Sequence, residues 1–187
     1  MAEFSYEIKI PRERVAVLIG KAGATKKQIE EATKTKLNIN SEEGDVTVMG
    51  EDALGMFSTK EIIHAIGRGF NPEIAMLLLN QDYNVEFINL GDYIKSRNSM
   101  ERLKGRVIGS EGKSRKVIED LTECYLSVYG KTIGIMGKVE NTPVARRAVE
   151  SLLGGSPHAN VYKWLEKQRV KMKREAFIGG LESSSEE

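Results

Sequence analysis

The chain has 187 residues, 40% hydrophobic and 29% charged, which suits one or two ordinary globular domains and excludes a disordered or fibrous protein. Its formal net charge of +1 offers no bulk attraction to nucleic acid, so any such role has to rest on local fields. The single Cys124 excludes an intramolecular disulfide framework and fits a reducing cytoplasm, and His64 and His158 are too few for a usual zinc site, so no metal and no cofactor is expected.

In chain order, Ser5 to Ile10 reads as a first strand and the apolar run Val15 to Ile19 as a helix. Gly20-Lys21-Ala22-Gly23 then makes a tight turn into a second helix. Glycine at both ends of that turn allows positive φ and leaves no Cβ to hold a ligand away. The second helix points its N-terminal N–H groups at whatever approaches, as a run of phosphates would. Leu37 to Asn40 and Val46 to Met49 alternate with period two across Glu43-Gly44-Asp45 and predict a hairpin. A last helix is expected from about Asp52 to Phe70.

Asn71-Pro72 breaks the chain, and Ile74 to Leu79 follows as an unbroken apolar run. A flexible linker would be polar. This one reads as a short helix that docks, either on both flanking units or on the first alone. The run is also the longest apolar stretch, and it is far too short to span a bilayer. With no charged-then-apolar leader at the start, a cytoplasmic protein without membrane contact is expected.

The pattern then repeats 89 positions on, with Gly109-Ser110-Glu111-Gly112 as the second turn. In each copy an isoleucine falls six residues after the last glycine (Ile29, Ile118), a threonine at ten (Thr33, Thr122) and a leucine at fourteen (Leu37, Leu126). A β-branched residue falls at sixteen (Ile39, Val128). One Gly-x-x-Gly is weak evidence, but two copies with four matching positions are an internal repeat. The second copy takes strands from Asn84 to Leu90, Tyr125 to Tyr129 and Thr132 to Met136, and a last helix from about Asn141 to Leu153. Cys124 matches Thr35 and is expected to pack.

Both turns are basic islands. From Ser99 to Lys116 six bases (Arg102, Lys104, Arg106, Lys113, Arg115, Lys116) face only Glu101 and Glu111. From Ile10 to Lys27, Arg12, Arg14, Lys21, Lys26 and Lys27 face only Glu13. After the break Gly154-Gly155-Ser156-Pro157 comes a basic helix with Val161, Trp164, Leu165 and Gln168 as its packing stripe. Residues 179–187 are acidic and serine-rich, and read as a disordered tail.

An apolar residue, Ile-Gly-x-x-Gly, a helix, Thr and apolar-x-apolar together resemble the KH domain, a binder of single-stranded RNA or DNA. The resemblance implies an α+β fold: two tandem type I KH domains (βααββα), each a three-stranded sheet packed with helices, plus a C-terminal helix. The expected boundaries are 4–72 and 83–155 for the domains, 73–82 for the connecting helix and 156–178 for the basic helix. The motif Gly-x-Pro-His-x-x-Val-Tyr-x-x-Leu-Glu from Gly155 to Glu166, with Gly109-x-x-Gly112-Lys113-x-Arg115, is similar to the archaeal two-KH relatives of the partner-of-NOB ribosome assembly factor. That resemblance implies binding at the 3′ end of small-subunit rRNA. It also implies a maturation nuclease, an rRNA dimethyltransferase and the initiation factor 2 α subunit as protein partners.

The RNA-binding residues expected are Gly20, Lys21, Ala22, Gly23, Lys26 and Lys27 in the first copy. In the second they are Arg106, Gly109, Ser110, Glu111, Gly112, Lys113, Arg115 and Lys116. KH domains usually carry an apolar residue where Lys26 and Arg115 stand. Either the stems pack and the charges snorkel out, or both cations lie beside the nucleic-acid backbone. Gly112-Lys113-Ser114 resembles the end of a P-loop, but the first glycine of that pattern would fall at Val107, so no enzymatic activity is expected. Glu111, a carboxylate inside the turn, keeps a second reading open, in which one or both grooves serve as a protein-interaction adaptor.

Overall fold

A computed structural model describes residues 4–93 and 97–183, with side chains at 4–93 and 99–178. The first unit runs β1 (Phe4–Lys9), α1 (Arg12–Ile19), α2 (Ala24–Thr33), β2 (Lys36–Asn40), β3 (Asp45–Gly50) and α3 (Ala53–Gly67). A short α4 (Pro72–Ala75) and a 3-10 turn (Met76–Leu79) lead to the second unit. That unit runs β4 (Tyr83–Asn89), α5 (Arg97–Ile108), α6 (Lys113–Thr122), β5 (Tyr125–Tyr129), β6 (Thr132–Lys138) and α7 (Thr142–Leu153). Both sheets are antiparallel with the last strand in the middle, β1-β3-β2 and β4-β6-β5. The order is the βααββα expected of each copy.

Local chemistry sets the element ends. The Asp52 carboxylate caps α3 by accepting from the Gly55 N–H at 2.7 Å, so the helix starts at Ala53. At the other end of that helix, Arg14 on α1 donates to the Ile66 and Phe70 carbonyls, both at 2.8 Å. Arg106 does the same for α7, donating to Leu152 O at 2.8 Å and Ser156 O at 2.6 Å. Each arginine satisfies carbonyls that a helix end leaves unpaired.

The two sheets differ in how they are covered. In β3 burial alternates, with Val46 and Val48 inward and Asp45, Thr47 and Met49 on an open face. In β6 every residue from Ile133 to Gly137 is buried. Ile133 and Ile135 join the core of the second unit, whereas Met136 joins the core of the first, where Val85 and Phe87 also pack. Phe70, 2% exposed, lies over Gly134 so closely that a Cβ there would stand 2.5 Å from its ring. The Ser127 hydroxyl donates to Arg68 O at 3.0 Å, and the Tyr129 hydroxyl donates to the Glu13 carboxylate. Ile74, Met76 and Leu78 of the connecting segment pack into the same cluster as Val85 and Phe87. The greasy connection therefore belongs to a core that both units share.

The C-terminal helix α8 (His158–Ser183) packs along α6 and α7. Val161 and Leu165 are buried in the second core, and Trp164 lies half-buried beneath the Arg147 guanidinium, 5.1 Å from its ring centre. The helix continues past residue 178, where the sequence reading began a tail; residues 184–187 lie outside the described residues. No helix among the described residues is long and apolar enough to cross a membrane.

Candidate nucleic-acid interface

The two Gly-x-x-Gly turns are the same object built twice. Gly20 and Gly109 both take φ 74° with ψ near 175°. Ala22 and Glu111 follow in the left-handed region (φ 52° and 53°), as do Gly23 and Gly112 (φ 79° and 75°). The glycines of a pair do different work. A Cβ on Gly20 would collide with Thr25, and one on Gly109 with Ser114, so the first glycine lets the turn close on the next helix. A Cβ on Gly23 or Gly112 would meet nothing within 4 Å, so the second glycine serves its positive φ and keeps that side open to a ligand.

Beyond each turn, α2 and α6 begin without a side-chain cap: the first N–H, of Ala24 or Lys113, bonds back to the carbonyl of Lys21 or Ser110, and the positive end of the helix is left to an anion. Lys21, Lys27, Lys113 and Lys116 are exposed around these ends, and Lys113 stands 3.8 Å from the equally exposed Glu111. Next to the turns, Leu18 and Leu37 are core, while Ile19 and Ile39 are only half-buried. The second copy repeats this with Val107 and Leu126 buried and Ile108 and Val128 half-buried. A basic turn thus borders a half-covered apolar strip in each copy, which suits a sugar-phosphate run with its bases turned inward.

Lys26 and Arg115 have a partner that neither sequence reading named. Lys26 Nζ lies 4.0 Å from Glu30 Oε1, and Arg115 Nε lies 3.2 Å from Glu119 Oε1. The same carboxylate oxygens accept the N–H of Leu37 and of Leu126, each at 2.8 Å. The base steadies a carboxylate that satisfies the first buried residue of the groove strand. Charge pairs at i and i+4 were visible in the sequence, but the strand N–H they serve was not. Replacing Glu119 with Ala leaves the Leu126 N–H unpaired and is expected to cost about 1–2 kcal/mol. Arg115→Ile removes only an exposed ion pair and is expected to stay within about 0.5 kcal/mol of wild type in denaturant melts. Equal losses for the two would refute the relay.

Arg106 also has a structural task. Its Nε and one terminal nitrogen are spent on the Leu152 and Ser156 carbonyls, which makes it a clamp on α7. Lys104 pairs with Glu101 at 3.1 Å, so of the three bases before the second turn Arg102 alone has neither an ion pair nor a side-chain hydrogen bond among the described residues. Cys124 is buried, and burial pushes its thiol up to about 11, so it packs and does not react. Among the described residues no group of three or more His, Cys, Asp or Glu is placed to hold a metal.

A helix, Gly-x-x-Gly, helix unit on a β1-β3-β2 sheet, present twice, defines a tandem KH protein of type I. Residues 5–66 match the KH domain family, and residues 84–170 match the family described as Eukaryotic type KH-domain (KH-domain type I). The chain belongs to the two-KH family of the archaeal Dim2p and Pno1 proteins. It is 51% identical to a KH domain-containing protein of Methanocaldococcus jannaschii, over 91% of this chain and 76% of that one. It is 27% identical to the RNA-binding protein pno1 of Dictyostelium discoideum, over 83% of this chain and 68% of that one. The crystal structure of Dim2p from Pyrococcus horikoshii OT3 superposes with a TM-score of 0.82 at 45% identity, covering 88% of this chain and 99% of that one. Dim2p in an a/eIF2alpha–aDim2p–rRNA complex from the same organism gives 0.84 at 44% identity, covering 90% and 96%.

Proposed function

We propose that the protein binds single-stranded RNA during small ribosomal subunit assembly, holding the 3′ end region of small-subunit rRNA in its KH grooves. The observation that carries this is the pair of superimposable turns, each with an open second glycine, an uncapped helix start and a basic rim beside a half-covered apolar strip. The rRNA complex of the Pyrococcus relative supports the RNA class and the initiation factor 2 α subunit as a partner. A maturation nuclease and an rRNA dimethyltransferase would meet the protein at the same rRNA end. The proposed contacts are Gly20, Lys21, Ala22, Gly23, Lys26 and Lys27, with Gly109, Ser110, Glu111, Gly112, Lys113, Arg115 and Lys116. Arg106 can join them only through its second terminal nitrogen, because its Nε and the other terminal nitrogen hold the Leu152 and Ser156 carbonyls.

The second copy is the stronger candidate, since Glu111 is offset by Lys113 and joined by Arg115 and Lys116. The reading predicts that a single-stranded 3′-terminal rRNA oligonucleotide binds at least about tenfold tighter than the same sequence annealed to its complement. Bases in a duplex cannot turn into an apolar strip. Fluorescence anisotropy at one fixed salt concentration checks it. Equal affinity for both would mean charge attraction alone and would sink the specific reading.

A further inference from the structure

The second turn has a neighbour that the first lacks. Helix α8 brings His158 and Tyr162 alongside α5, and together with Arg102, Gly105, Lys113 and Ser114 they enclose a pocket of about 410 Å³. Its floor is open at Gly105, where a Cβ would meet nothing within 4 Å. Ser114 is 2% exposed, and its Oγ makes no hydrogen bond among the described residues. A buried hydroxyl without a partner is uncommon and calls for a ligand or a reason. The His158 Nε2–H donates to Arg106 O at 2.8 Å, which fixes the ring and leaves Nδ1 as its free nitrogen. The first copy has Glu13 where the second has Arg102, and Glu13 is taken by the Tyr129 hydroxyl.

We propose that this pocket takes one further nucleotide of the strand held by the second turn, with its phosphate between Arg102 and Lys113 and its base against Tyr162. The proposal rests on the second turn binding RNA. Two bases around an open floor suit a phosphate, and an aromatic ring beside them suits any base, because every base offers a π face. The Nδ1 of His158 can accept from an amino or imino group of that base. The second copy then holds about one nucleotide more than the roughly four of a KH groove, and the first does not.

The test uses the full chain and labelled single-stranded oligonucleotides of about four and about six nucleotides from the 3′ end of small-subunit rRNA, read by anisotropy. Wild type is expected to bind the longer one about tenfold tighter. Arg102→Gln, at an exposed side chain, is expected to remove most of that gain, to lower the salt slope for the longer strand by about 0.7, and to leave the shorter strand unchanged. Tyr162→Leu should act likewise, and a thermal melt reports whether it disturbs α8. A full gain retained by Arg102→Gln, or equal weakening of both lengths, would overturn the pocket while leaving RNA binding at the turn intact. No binding of either length by wild type would overturn the turn reading and the pocket together.

Discussion

Reversing the charge of both turns is expected to abolish RNA binding while the protein stays folded. Lys21→Asp with Ala22→Asp takes the first turn pair from +1 to −2, and Ser110→Asp with Lys113→Asp does the same in the second. All four side chains are exposed. Ala22 sits at φ 52°, a left-handed conformation that aspartate accepts more readily than most residues. Lys113 opens α6, where a carboxylate suits the positive end of the helix. The melting temperature should therefore move by no more than a few degrees, roughly 1 kcal/mol. Affinity should fall at least about a hundredfold, ~2.7 kcal/mol, because several charge-assisted contacts turn repulsive together. Each pair alone apportions the loss between the copies, and the second copy should account for more of it. A folded variant with wild-type affinity would remove the turns from the binding site.

Much of this site was legible because it is local. The repeat, the turns and the hairpins depend on residues within about sixteen positions of one another, and spacing alone aligns Gly20 with Gly109 and Glu30 with Glu119. What escaped depends on long-range contacts. Arg106 looked like one more base beside a turn, because nothing nearby in sequence shows that the carbonyls of Leu152 and Ser156 come to meet it. The Glu119 carboxylate was passed over as a partner of Arg115, and its bond to the Leu126 N–H shows only once the strand is in place. His158 and Tyr162 stood out only as part of a family motif on a packed basic helix, and their approach to the second turn needs α8 folded back onto α5.

The coverage of the second sheet was half legible. Thr132-Ile-Gly-Ile-Met-Gly lacks the alternation of Val46-Thr47-Val48-Met49, and a strand without alternation is buried on both faces. Helix α3 carries a matching surface, where Ile62, Ile63, Ala65 and Ile66 are all buried and make one broad apolar face. Each element is apolar on the side that the other covers. Only the matching partner was hidden from the sequence, and it is the first unit itself.

That shared face carries the largest expected effect on stability. Phe70→Ala should cost about 3–4 kcal/mol, because a fully buried ring leaves a cavity that the glycine beneath it cannot fill. For a chain of this size that is a fall of roughly 10 °C in melting temperature, and the two units should begin to unfold separately. Gly134→Ala is the complementary test: its Cβ needs the space of the Phe70 ring, so it should destabilise wild type clearly and the Phe70→Ala background much less. Additive losses would show that the ring and the strand are not coupled. The face also carries a pH dependence. His64 lies against Phe87 with ring centres 4.5 Å apart, and burial first, then Arg68 and Lys60, hold its pKa below the ordinary 6.5. As pH falls through 6.5 the unfolded chain takes up the proton before the folded one, so stability drops from there down to the depressed folded value and is untouched above it. His64→Phe keeps a ring against Phe87 and should remove that part of the acid slope, whereas an unchanged slope would mean that other groups set it.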